Sequence, residues 1–163
     1  MRTGGSIMIV VYHDAGGAHS TATAANIHIG NLSMDKIPTK EELLSLPTFD
    51  KTTRSQMGTL LYIGEDELGT KVYTVGRRYK PNLVIPAISS MYTILHGSTD
   101  DLLIVDTQSS VNLWMKIGGF SSRAMNLVSF GRPIVTYGTI KAYKDIVTIV
   151  KKVKQQISDR NKQ

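Results

Sequence analysis

The chain has 163 residues, of which 41% are hydrophobic and 20% charged, the balance of a soluble globular protein with enough length to bury one core. It has no cysteine, which excludes disulfides, thiolate nucleophiles and cysteine-ligated metals. The net charge is +6, but five basic residues against one acid crowd into 151–163, so the rest of the chain is nearly balanced. A basic last turn complements the helix dipole, and no aromatics alternate with its charges, so nucleic-acid binding is not expected.

In chain order, Ile7-Met8-Ile9-Val10-Val11-Tyr12 is an apolar run that predicts a strand. It is too short for a membrane span or a secretory leader, so no membrane partner is expected and a cytoplasmic location is. His13-Asp14-Ala15-Gly16-Gly17 follows as a turn, and a helix of small residues begins at Ala18-His19-Ser20-Thr21 and stops at Gly30. The connection 31–56 contains Thr39-Lys40-Glu41-Glu42, a capping box that predicts a short helix ended by Pro47. A connection of this length reads equally as a binding lid or as an ordered surface insert.

Gly58–Ile63 and Lys71–Val75 are strand-like runs whose short link, with an acidic tip at Glu65-Asp66-Glu67, admits only an antiparallel hairpin. Pro81 opens a helix through about His96, closed by Gly97. Asp101–Asp106 is a continuous apolar run ending in an acid, the pattern of a central strand buried on both faces. Val111–Ile117 reads as helix broken at Gly118-Gly119. Asn126–Phe130 and Pro133–Tyr137 are β-rich around Gly131 and Pro133, so at least one more strand is expected there. The last helix, about Tyr143 to Ile157, carries one apolar stripe through Ile146, Val147, Val150 and Val153.

This alternation predicts one α/β domain over 1–163: three layers, α/β/α, with a mostly parallel sheet and one antiparallel hairpin. Its β1–loop–α1 is a degenerate relative of the phosphate loop. With Ser20 aligned on the loop's Ser/Thr, His19 stands at the lysine, Ala18 at the second glycine and His13 at the first. Free amides and the dipole at a helix start favour an anion. The expected phosphate contacts are Asp14, Gly16, Gly17, His19, Ser20 and Thr21, with Arg77 and Arg78 closing over the outer oxygens. The plainer alternative is a tight βα turn with Ser20 and Thr21 bonded to nearby backbone.

In such a fold ligands sit beyond the carboxyl ends of the strands, where Asp106 is expected beside the turn. His13, His19 and Asp106 are the candidate catalytic residues, a histidine moving the proton and Asp106 holding magnesium or a water. Asp106 reads equally as the N-cap of the segment at Thr107-Gln108. His28, nine residues beyond His19, turns to the other side of the helix. Arg123 and Arg132, near glycine-rich breaks, are further phosphate-clamp candidates.

The blocks Tyr12–Thr21, Gly58-Thr59-Leu60, Gly64–Glu67, Leu103–Thr107, Val111-Asn112-Leu113 with Ile117–Phe120, and Leu127–Pro133 resemble a family known only as a bacterial domain of unknown function, associated with endospore-forming Gram-positive bacteria. The resemblance runs from about Ile7 to Val153 and brings no activity or catalytic residue to transfer. The reading of the residues is therefore a binder of a phosphorylated small molecule or nucleotide, with phosphoryl transfer or hydrolysis as its chemistry and magnesium as the cofactor to test. The alternative is a non-catalytic interaction module, oligomeric or part of a sporulation-related assembly, using Trp114, Met115 and Phe120.

Overall fold

A computed structural model of the protein describes residues 7–125 and 127–162. Strand β1 (Ile9–Asp14) lies at the interior of a four-stranded sheet, parallel to β3 (Lys71–Gly76) on one side and β4 (Leu102–Asp106) on the other. Strand β2 (Leu61–Glu65) pairs antiparallel with β3 as the expected hairpin, and the order is β2-β3-β1-β4. The architecture is α/β with a mixed, mostly parallel sheet, as the alternation of elements predicts. Register sets His13 beside both Val75 and Asp106, and Asp14 beside Gly76. The carboxyl ends of three strands therefore share one rim.

Side-chain alternation along β1 divides the core. Val10 and Tyr12 face the layer made by α1 (Ser20–His28), α2 (Lys40–Ser45), α4 (Leu113–Gly119) and α5 (Val128–Asn161). Ile9 and Val11 face the other way, where α3 (Pro81–His96) is the covering helix through Val84, Ile88 and Tyr92. Helix α2 starts at the predicted capping box: the Thr39 hydroxyl accepts from the Glu42 amide at 3.1 Å, and the Glu42 carboxylate accepts from the Thr39 amide at 2.6 Å. It stops because Leu46, preceding Pro47, is driven to extended backbone at ψ 135°.

Three sequence expectations are corrected. Strand β4 is an edge, not a central, strand, because nothing pairs on its far side among the described residues. Helix α4 runs through Gly118-Gly119 and passes into a π-helical turn at Phe120–Ala124. The segment expected as strand is instead the start of α5, which spans 34 residues and runs through Pro133; Asn126 lies outside the described residues. The reason is packing. A Cβ on Gly118 would stand 2.3 Å from the Val135 nitrogen, and one on Gly138 would stand 2.7 Å from the Met115 nitrogen. Glycines here are contact points between two helix backbones, and that contact overrides the local β propensity.

His28 is fully buried and lies on the side away from His19, as the spacing predicts. The Tyr12 hydroxyl donates to its Nδ1 at 2.8 Å, and its Nε2 donates to Asp66 at 3.2 Å. Asp66 is thus not merely a hairpin tip: it also accepts the Leu68 and Thr70 amides and faces Lys154 at 3.6 Å. Burial, joined by the charge of Lys154, lowers the His28 pKa and outweighs Asp66. No helix among the described residues is long and apolar enough to cross a membrane.

Candidate functional site

The rim of the sheet is organised around the turn from Asp14 to Ser20. Gly17 takes a left-handed backbone at φ +68° and lies so close to β3 that a Cβ would meet the Gly76 nitrogen at 2.5 Å. Only glycine satisfies both constraints at once. Asp14, at the end of β1, turns its carboxylate into this bend: Oδ1 accepts the Gly17 amide and Oδ2 the Ser20 hydroxyl. The Ser20 oxygen also lies 2.8 Å from the Thr107 hydroxyl, which itself donates to the His13 carbonyl at 3.2 Å. The Ala15 amide donates to the Gln108 side chain at 2.9 Å. The amides of Gly16, Ala18 and His19 have no acceptor among the described residues. They lie at the start of α1, and the His19 side chain does not cap it.

On one flank stand His13, Arg77 and Asp106. Arg77 follows β3 directly and is buried; its Nε donates to His13 Nδ1 at 2.9 Å and its terminal nitrogen reaches Asp106 Oδ2 at 3.5 Å. A donor at Nδ1 places the imidazole proton on Nε2. Burial lowers the His13 pKa, and the Arg77 charge adds to that effect while Asp106 and Asp14 oppose it. Asp106, 54% exposed in its side chain, also accepts the Gln108 amide at 2.7 Å, but the N-cap of the 3-10 turn at Gln108–Ser110 is Thr107, not Asp106.

On the other flank stands Asp50, a residue sequence reasoning missed. Its side chain is fully buried, and its backbone sits at φ +54°. His19 Nε2 donates to Oδ1 at 3.0 Å, the Ser122 hydroxyl lies 3.0 Å from both oxygens, and Arg132 Nε donates to Oδ2 at 2.9 Å. Burial alone would raise the Asp50 pKa; the bonds from His19, Arg132 and Ser122 outweigh it and hold the carboxyl at about 2. With Nε2 bonded to Asp50, the other ring nitrogen of His19, Nδ1, faces Gly119 closely enough that a Cβ there would be 3.4 Å away. The segment carrying Asp50 is docked on the turn: its amide donates to the Ala18 carbonyl at 3.0 Å, and the Thr52 hydroxyl to the Gly17 carbonyl at 3.0 Å.

The rim thus gathers His13, Asp14, Gly16, Gly17, His19, Ser20, Arg77 and Asp106. Thr21 is buried with no partner for its hydroxyl among the described residues. Arg78 is exposed, with a left-handed backbone at φ +51° and its amide bonded to the Ala15 carbonyl at 2.9 Å. The Arg123 side chain lies outside the described residues. No group of three metal-ligating side chains converges among the described residues. Asp106 faces the Arg77 guanidinium with Oδ2 at 3.5 Å and the Gln108 amide with Oδ1 at 2.7 Å. For Asp50 the only sequence signal was the length of the connection that carries it, which the site uses as a docked loop.

No curated protein and no solved structure matches the chain. A family model described as "Protein of unknown function (DUF3189)" matches residues 9–155. With nearly all of the fold inside that match, the chain belongs to the DUF3189 family.

Proposed function

We propose that the rim binds the phosphate of a small molecule or nucleotide at the start of α1. The observation that carries this reading is the set of amides at Gly16, Ala18 and His19 that have no acceptor among the described residues, placed where the helix dipole adds positive potential. Asp14 then acts within the turn. By holding Gly17 and Ser20 it fixes the bend that aims the remaining amides, so its role is organising rather than donating. Arg78, exposed beside the turn, supplies charge to the outer phosphate oxygens, and the Thr21 amide belongs to the same first turn.

Two histidines flank that position in different surroundings. His13 is held neutral with its proton on Nε2 and donates; His19, backed by the Asp50 carboxylate, presents Nδ1 for proton exchange. The chemistry this supports is phosphoryl transfer or hydrolysis, with His19 removing the proton of the attacking hydroxyl or water as the P–O bond to the leaving group breaks. Asp106 holds Arg77 in place, and no step is assigned to magnesium.

A thermal-shift titration with inorganic phosphate, nucleotides and sugar phosphates tests the reading. A ligand at a hundred times its Kd stabilises the fold by about 2.7 kcal/mol, and Arg78→Ala is expected to weaken that shift without changing the unliganded melting temperature. No shift with any phosphorylated ligand rejects the reading. A second reading, a non-catalytic interaction module, draws on Trp114 and Phe120, which are 51% and 62% exposed. Met115, by contrast, is buried against α5.

A further inference from the structure

We infer that two copies of this chain associate through α3 and the groove beside it. Helix α3 contains no Asp, Glu, Lys or Arg and has no fully buried residue. Leu83, Met91, Ile94 and Leu95 are 64%, 56%, 74% and 72% exposed. A helix apolar on its solvent side and free of charge is the pattern of a buried element, not of a surface one.

The sheet beneath explains why. Its other face is covered by α1, α4 and α5, while among the described residues α3 alone lies on this one and reaches it through Val84, Ile88 and Tyr92. Beside the helix the sheet face stays open as a groove of about 510 Å³, walled by Leu60, Tyr73, Ala87, Met91 and Leu95 with no charged lining residue. An α/β sheet buries both faces, so this layer is half built.

The occupant that fits is a second α3. Ridge and groove lie side by side on one face, so a two-fold axis lets each copy fill the other's groove. Two chains of net charge +6 repel, and this face is where they meet without bringing like charges together. A lipid surface is less well matched, because an interfacial helix carries lysine or arginine on its polar face and α3 has neither. The exposed side chains of Leu60, Leu83, Met91, Ile94 and Leu95 present on the order of 500 Å² of apolar surface. The groove walls extend this toward the roughly 800 Å² per partner of a stable interface.

Sedimentation velocity of the full chain at tens of micromolar is expected to give twice the 17.9 kDa chain mass. The double variant Ile94→Glu, Leu95→Glu is expected to sediment as a monomer with unchanged far-UV circular dichroism, and Phe120→Glu as a dimer. Because the chain has no cysteine, Ile94→Cys treated with a short bis-maleimide provides an arm that needs no disruptive charge. It is expected to give a covalent dimer, whereas Lys152→Cys on α5 is not. A wild-type monomer, a dimer that survives the double variant while Ile94→Cys stays uncoupled, or a monomer that floats with phosphatidylcholine vesicles through these same residues overturns the inference.

Discussion

Asp50 ties His19, Ser122 and Arg132 together at the rim. A non-glycine residue at φ +54° is uncommon and persists where surrounding bonds hold it; here three side chains and its own amide do so. Asp50→Asn keeps a residue that tolerates this backbone but removes the charge facing His19 and Arg132. We expect it to cost roughly 2–3 kcal/mol in urea unfolding, and to abolish turnover of any phosphoryl substrate more than it weakens binding. The depressed Asp50 pKa also has a pH signature. Its contribution is fully present above the ordinary value of 3.8 and is lost as pH falls through about 2, about 2 kcal/mol in all.

His28 acts in a higher window. Its folded pKa lies below the ordinary 6.5, so the unfolded chain takes up the proton first and stability declines as pH falls below that value. Urea midpoints measured between pH 8 and 5 are expected to fall, and His28→Gln to flatten that limb. Flattening is only partial, because His13 is depressed in the same sense.

Among the elements, the α4–α5 pair links packing to the rim. A Cβ on Gly131 would stand 2.3 Å from the Ser122 nitrogen and 2.6 Å from the Gly118 oxygen, both backbone atoms. Gly131→Ala must therefore separate the two helices, and with them the Ser122 hydroxyl from Asp50. We expect a loss of about 2–3 kcal/mol together with a higher apparent Asp50 pKa, followed by NMR titration. Gly97, the left-handed cap of α3 at φ +82°, meets no neighbouring atom within 4 Å. Gly97→Ala is expected to cost only about 1 kcal/mol, which separates backbone strain from steric overlap.

At the scale of the molecule, the parallel alignment of β1, β3 and β4 brings the glycine turn, Arg77 and Asp106 to one rim from three distant parts of the chain. The bare α3 face lies on one side of the same sheet, so ligand binding and self-association are separable by experiment. Ile94→Glu with Leu95→Glu is expected to leave a phosphate-induced thermal shift intact, and Arg78→Ala to leave the sedimentation coefficient unchanged.

The amino-acid order alone was sufficient for β1, its glycine turn, the hairpin, the capped α2 and helix α3, because each is specified by residues a few positions apart: an apolar period, a capping box, a proline at the first turn, a glycine at the last. Asp50 was not legible, since His19, Ser122 and Arg132, which bond to it, lie 31, 72 and 82 residues away. The stretch near 127–137 was misread for a related reason. Its glycine, valines and tyrosine locally favour breaks and strands, but the energy that makes it helical comes from backbone contact with α4. The edge position of β4 likewise follows from strand pairing across the chain. Short-range propensities are written in neighbouring residues; burial, pairing order and the charge environment of a carboxylate arise only when distant segments meet.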